Sequence, residues 1–245
     1  MRAAARVALL AVLPFAATAA AGATRVESYE LRLTLSADGS GRAAATVHLV
    51  GCTAGSLLLP LGLPGANDLR LLDAPPGTAV DVVPAGGQAN LRISLPEGVP
   101  ESASLRVELP VAGLLVRQAA ASESDGSAAM LDRWTLRHAL LATQPESIDR
   151  YRVEVVFPPG MRAHALRDAL PRLRKGESLP RAGLTAIDGH PGAQLAVDRL
   201  LQGETAALQL ELVRSERSPT WWIVGLVLSL VYLVRFRDLV AKSAS

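Results

Sequence analysis

The chain has 245 residues, 25 of them Lys or Arg and 23 Asp or Glu, with a formal net charge of +2, a pI near 9.0 and a single cysteine, Cys52. One cysteine excludes an intramolecular disulfide framework, so packing has to hold the fold together. Five basic residues (Arg2, Arg6, Arg235, Arg237 and Lys242) and one acid (Asp238) lie at the two ends; taking them from the totals leaves 20 basic against 22 acidic residues over 24–218. That balance of −2 excludes the clustered basic face that nucleic acid requires.

In chain order, Arg2 and Arg6, the apolar run 7–16 and the small residues 17–23 have the three-part layout of a secretory signal peptide. Cleavage is expected after Ala21 or Ala23. Next, Tyr29, Leu31, Leu33 and Leu35 alternate with Glu30, Arg32, Thr34 and Ser36, the period of a strand with one buried face. The turn residues 37–41 and the alternation of Ala45, Val47 and Leu49 with Thr46 and His48 complete a hairpin. Further strands are expected over 56–60, 68–72, 78–83, 89–95 and 104–111, separated by Pro- and Gly-rich turns. Short strands at roughly 10-residue spacing are the pattern of an antiparallel β-sandwich.

The small, polar residues 118–127 read as a linker. Strand alternation resumes around Trp134 and Leu136, over Tyr151 to Phe157, and at Leu208, Leu210 and Leu212. Residues 163–175 suggest a short helix interrupted at Pro171. The expected fold is therefore an all-β ectodomain, an antiparallel β-sandwich of one or two modules. The modules span 24–117 and 128–216, with a single two-layer domain as the alternative.

A C-terminal transmembrane helix over 217–236 and a short tail over 237–245 complete the expected organisation. The run from Trp221 to Val234 is uncharged. Extended to 219–236, it covers about 27 Å of helix against a hydrocarbon thickness of about 30 Å. Trp221 and Trp222 suit one headgroup belt; Arg235 and Arg237 suit the other, on the positive side. A buried or amphipathic terminal helix is the alternative. Gly225 and Ser229 have the small-xxx-small spacing that permits close helix approach. With an exported N-terminus, one span puts the β region outside the cytoplasmic (inner) membrane. The Ala, Leu and Arg richness suits a bacterial envelope protein.

Candidates for chemistry are sparse. Leu49-Val-Gly-Cys52 resembles the lipobox of bacterial lipoproteins, but charged, strand-like sequence separates it from the apolar run 7–16, so a small buried thiol is expected. The four histidines, His48, His138, His164 and His190, show no metal-ligand spacing. Ser122 or Ser124, Asp132 and His138 make only a nominal hydrolytic set. Trp134 is the one aromatic kept as a ligand contact, whereas Tyr29, Tyr151 and Phe157 fall on apolar strand faces that a core would claim. The basic stretch holding Arg172, Arg174 and Lys175 is a candidate contact for anionic headgroups or an acidic partner. No cofactor, metal or catalytic set is expected. The reading is a membrane-anchored, non-catalytic interaction or scaffold module with a protein partner in the envelope. A ligand-binding sensor or chaperone-like subunit is the first alternative, an envelope hydrolase the second.

Overall fold

A computed structural model describes residues 24–63, 68–85, 88–118, 133–144, 147–171, 181–214, 224–232 and 236. The expected signal peptide, Trp221, Trp222, Arg235, Arg237 and the basic residues Arg172, Arg174 and Lys175 lie outside them. The described chain is all-β apart from helical turns at 224–232 and residue 236. Its strands build three sheets.

The largest sheet uses β1 (Arg25–Leu35), β2 (Gly41–Val50), β4 (Arg70–Asp73), β7 (Ser102–Val111), β10 (Ile148–Val156), β12 (Arg181–Ile187) and β13 (His190–Leu200). They run in the order β12-β13-β10-β1-β2-β7-β4. Among the described strands only β1 and β10 pair parallel, with Tyr29 opposite Tyr151 and Leu31 opposite Val153. That pairing is the seam at which 24–117 and 128–216 join in one sheet. A three-stranded sheet takes β3 (Gly55–Pro60), β5 (Ala79–Ala85) and β6 (Gln88–Leu95). A four-stranded sheet takes β8 (Leu115–Gln118), β9 (Arg133–Leu141), β11 (Met161–Ala169) and β14 (Thr205–Arg214).

Alternation explains the layers. The inward residues of β2 are Ala43, Ala45, Val47 and Leu49, and those of β14 are Ala206, Leu208, Leu210 and Leu212, all buried. These residues, together with Leu59, Leu91 and Ile93 of the three-stranded sheet, belong to one continuous hydrophobic core. The large sheet thus covers both smaller ones.

Strict alternation fails at one level of the large sheet. Val26 and Tyr29 in β1, Ile148 and Tyr151 in β10, and Val197 and Leu200 in β13 are all buried although they stand three apart. Each strand therefore carries an extra residue, Glu27, Asp149 or Arg199 respectively, and Arg199 takes φ 56°. In β1 the extra residue shifts the register against β2 between Val26 and Ser28, the signature of a β-bulge. Ion pairs bracket the kink, Arg150 to Glu27 at 2.8 Å and Arg25 to Asp149 at 3.3 Å.

The helix expected from residue 163 is instead strand β11, and it pairs along β14. Ala, Leu and Arg favour helix intrinsically, but the ladder to β14 satisfies the backbone and overrides that preference. A register shift between Ala163 and Ala165 breaks the period-2 pattern that would have revealed a strand. Strands β8, β12 and β13 were also not expected. Between β12 and β13, Asp188 (φ 49°) and Gly189 (φ 79°) form a two-residue hairpin turn with Ile187 opposite His190. Both central residues have positive φ, the type I′ geometry that Asp-Gly favours.

Candidate functional site

Two places in the fold combine chemistry with unusual surroundings, one inside the core and one at the C-terminal end. The first lies where the three sheets meet. The kink in β1 and β10 turns both Tyr29 and Tyr151 inward, and their parallel register sets the rings side by side with centroids 5.5 Å apart. From β9, His138 Nε2 lies 2.7 Å from the Tyr151 hydroxyl. Tyr29 donates its hydroxyl hydrogen to the carbonyl oxygen of Pro60, at the end of β3, over 3.0 Å. One side chain from each of two neighbouring strands of the large sheet is thereby tied to a different small sheet.

The same junction dictates Gly62. Its φ is +64°, and a Cβ there would stand 2.7 Å from His138 Cε1 and 2.8 Å from the Ala139 carbonyl oxygen. Only glycine permits that approach without displacement. His138 is 1% exposed, and its Nδ1 has no hydrogen-bond partner among the described residues. Burial pushes the imidazole pKa down to about 4, against a smaller opposing effect from the Gly62 backbone. Burial pushes both tyrosine hydroxyls above their ordinary range. A neutral imidazole bonded to a neutral phenol, with the second phenol beside it, suits a structural polar tie. All three side chains are at most 1% exposed.

The other histidines are apart from this cluster and from one another: His48 is on the exposed side of β2, His164 on β11 and His190 at the head of β13. No group of three or more His, Cys, Asp or Glu among the described residues is placed to hold a metal ion. Ser122, Ser124 and Asp132 lie outside the described residues. Cys52 is half-buried after β2, and its backbone N–H donates to the Glu101 carbonyl at 3.0 Å. Desolvation raises its thiol pKa and favours the unreactive protonated form. Trp134 is partly buried on β9 against the core, beside the β1–β2 turn at Gly39.

The second place is the helix at 224–232. Every one of these residues is exposed, with Leu226 and Leu228 at 64% and Tyr232 at 71%. An α-helix that is apolar all round needs an apolar environment, because amphipathicity is what lets a surface helix rest on its own domain. Gly225 and Ser229 do lie one turn apart, and the Ser229 hydroxyl donates to the Gly225 carbonyl at 2.8 Å. That bond satisfies the Ser229 hydroxyl within the segment. Among the described residues no helix is long and apolar enough to cross a membrane.

Charge is distributed differently on the open face of the large sheet. Across one row the registered residues run Arg70, Glu108, Ala44, Arg32, Glu154 and Gln194. The next runs Asp73, Arg106, Thr46, Glu30, Arg152 and Ala196. Opposite charges lie next to or near one another throughout, and pairs such as Arg42 with Glu108 at 3.5 Å partly neutralise them. Two arginines that precede Arg172 in the sequence, Arg162 and Arg167, lie on β11, and Arg167 faces Glu211 at 3.9 Å.

No protein family matches this sequence, and no curated protein matches it. Among solved structures it is similar to leukotriene A4 hydrolase of Saccharomyces cerevisiae, at 10% identity and a TM-score of 0.44 over 77% of this chain and 29% of the other. It is also similar to an M1 zinc metallopeptidase of Deinococcus radiodurans, at 14% identity and a TM-score of 0.36 over 76% of this chain and 42% of the other. The chain thus spans less than half of either protein. Neither likeness carries a functional assignment.

Proposed function

We propose that this chain is a non-catalytic interaction or scaffold module, tethered to the cytoplasmic membrane by its C-terminal helix and serving as an accessory subunit of a bacterial envelope assembly. The observation that carries the proposal is the helix at 224–232, apolar on all sides and exposed throughout. Lipid supplies the environment such a surface demands, and the Ser229 to Gly225 bond removes the polar cost of placing the serine there. Flanking residues complete the anchor. Trp221 and Trp222 would sit at one headgroup belt and Arg235 and Arg237 at the other, with residues 1–23 exporting the β region.

The mixed-charge face of the large sheet would then be the surface offered to a protein partner, since alternating signs select a complementary pattern. Arg172, Arg174 and Lys175 would meet acidic headgroups or an acidic partner. Alkaline carbonate extraction of membranes holding the full chain tests the anchor. The full chain should stay with the membrane pellet, and a chain ending at residue 216 should be released. Release of the full chain would overturn the tether.

A further inference from the structure

We propose that the exposed edge of β12 joins the same edge of a second copy of this chain, so that two seven-stranded sheets become one across a two-fold axis at Leu184. β12 closes the large sheet and pairs with β13 alone among the described strands. An open edge invites pairing, and folds normally guard against it with short strands, bulges, charges or proline. The other described edges carry such guards. β4 is four residues long with a register shift, and β8 is also four residues long. β11 has a register shift and the charges Arg162, Arg167 and Asp168. β5 contains Asp81 and Pro84. β3 ends at Pro60, which is buried under the Tyr29 hydroxyl.

β12 has none of these from Ala182 to Ile187: no charge, no proline, and a register with β13 that does not slip. Leu184 sits at its centre with 59% of its surface exposed. On the core-side face it continues the buried row of Ala193 and Val155, opposite and beyond it in register. The apolar face therefore runs out to the edge.

The direction of the backbone groups settles which residues can pair. The Pro191 carbonyl accepts the Phe157 N–H at 3.0 Å, so it points across β13 toward the β10 side. Its register partner Ala186 is therefore in a non-hydrogen-bonded pair, and Ala186 directs its own N–H and C=O away from β13. By the same alternation Leu184 and Ala182 do so too. These three residues are symmetric about Leu184. An antiparallel copy centred there pairs Leu184 with Leu184 and Ala182 with Ala186, using every outward N–H and C=O of both strands. Arg181 falls opposite Ile187 of the other copy, next to its Asp188, and no like charges face each other. Self-complementarity of this kind is what an isologous contact requires.

The full chain in detergent, with Cys52→Ser to remove the native thiol, provides the test. Mild oxidation of Leu184→Cys should give a covalent dimer, because hydrogen-bonded antiparallel partners lie about 5.5 Å apart at Cα, within disulfide reach. Leu166→Cys on β11 should stay monomeric under the same oxidation. Without any cysteine, light scattering should report twice the chain mass, and Leu184→Lys should reduce the dimer fraction at least tenfold. Thr185→Lys, on the other face of the same strand, should leave it unchanged and shows that a lysine in β12 does not unfold the chain. A monomeric mass for the unmodified chain would overturn the proposal, as would equal cross-linking at positions 166 and 184. Capture of an unrelated extended peptide by a monomeric chain would overturn it too. The readout is mass in detergent, so it stands or falls separately from membrane tethering.

Discussion

Replacing His138 with glutamine should flatten the acid side of the stability profile. The imidazole is buried with a pKa of about 4, against 6.5 for the same group in the unfolded chain. Because the folded pKa is depressed, the unfolded chain binds the proton first as pH falls. His138 costs nothing above pH 6.5, and stability is lost progressively between pH 6.5 and pH 4. At about 1.36 kcal/mol per pH unit, the gap corresponds to about 3 kcal/mol, a large share of the stability of a typical domain. Urea unfolding of the full chain in detergent, followed by circular dichroism at a series of pH values, measures it. The unaltered protein should lose about 3 kcal/mol across that window, and His138→Gln should lose only a small part of it. Asp38 does not confuse the comparison. The Ser40 side-chain hydroxyl holds its carboxylate below the usual 3.8, so its contribution is lost only at lower pH. An equal loss in both proteins over the histidine window would refute the reasoning.

Further outcomes follow from the same geometry. Tyr151→Phe removes the partner of His138 Nε2 and leaves that buried nitrogen unbonded; it should cost about 1–3 kcal/mol by urea unfolding. Gly62→Ala should cost more than the strain of its positive φ alone, about 1–2 kcal/mol, because the new methyl also meets His138 Cε1 and the Ala139 carbonyl. Leu210→Ala, inside the four-stranded sheet at 0% exposure, should lower stability by about 2–5 kcal/mol. Arg150→Ala breaks an ion pair whose side chains are 65% and 44% exposed, and should change the unfolding free energy by no more than about 1 kcal/mol.

The local pattern read well where strands alternate cleanly. Tyr29 to Leu35, Ala45 to Leu49 and Leu208 to Leu212 are strands with the expected residues inside. Tyr29, Tyr151 and Phe157 do belong to the core. Legibility failed where the period breaks. The register shift at Ala163 and Ala165 hid β11, and the extra residue at Arg199 together with small side chains hid β13. His138 shares its period-2 face with Leu136 and Leu140, so the sequence marks that face as apolar, but only the pairing of β1 with β10 brings Tyr151 to the imidazole.

What the sequence determined by itself is therefore the β character of the chain and the inward residue of each clean strand, because side-chain direction in a strand depends only on a two-residue period. It also marked the charge-free C-terminal run. Which strands become neighbours was decided by tertiary structure. β1 and β10 are far apart along the chain, and their parallel register rests on matching extra residues at Glu27 and Asp149 that keep two buried faces in phase. Only after that alignment do Tyr29 and Tyr151 stand together, meet His138 and Pro60, and tie three sheets. The edge of β12 belongs to the same category. Its composition is visible in sequence, but its place at the margin of the sheet and the outward direction of its backbone follow from pairing with β13.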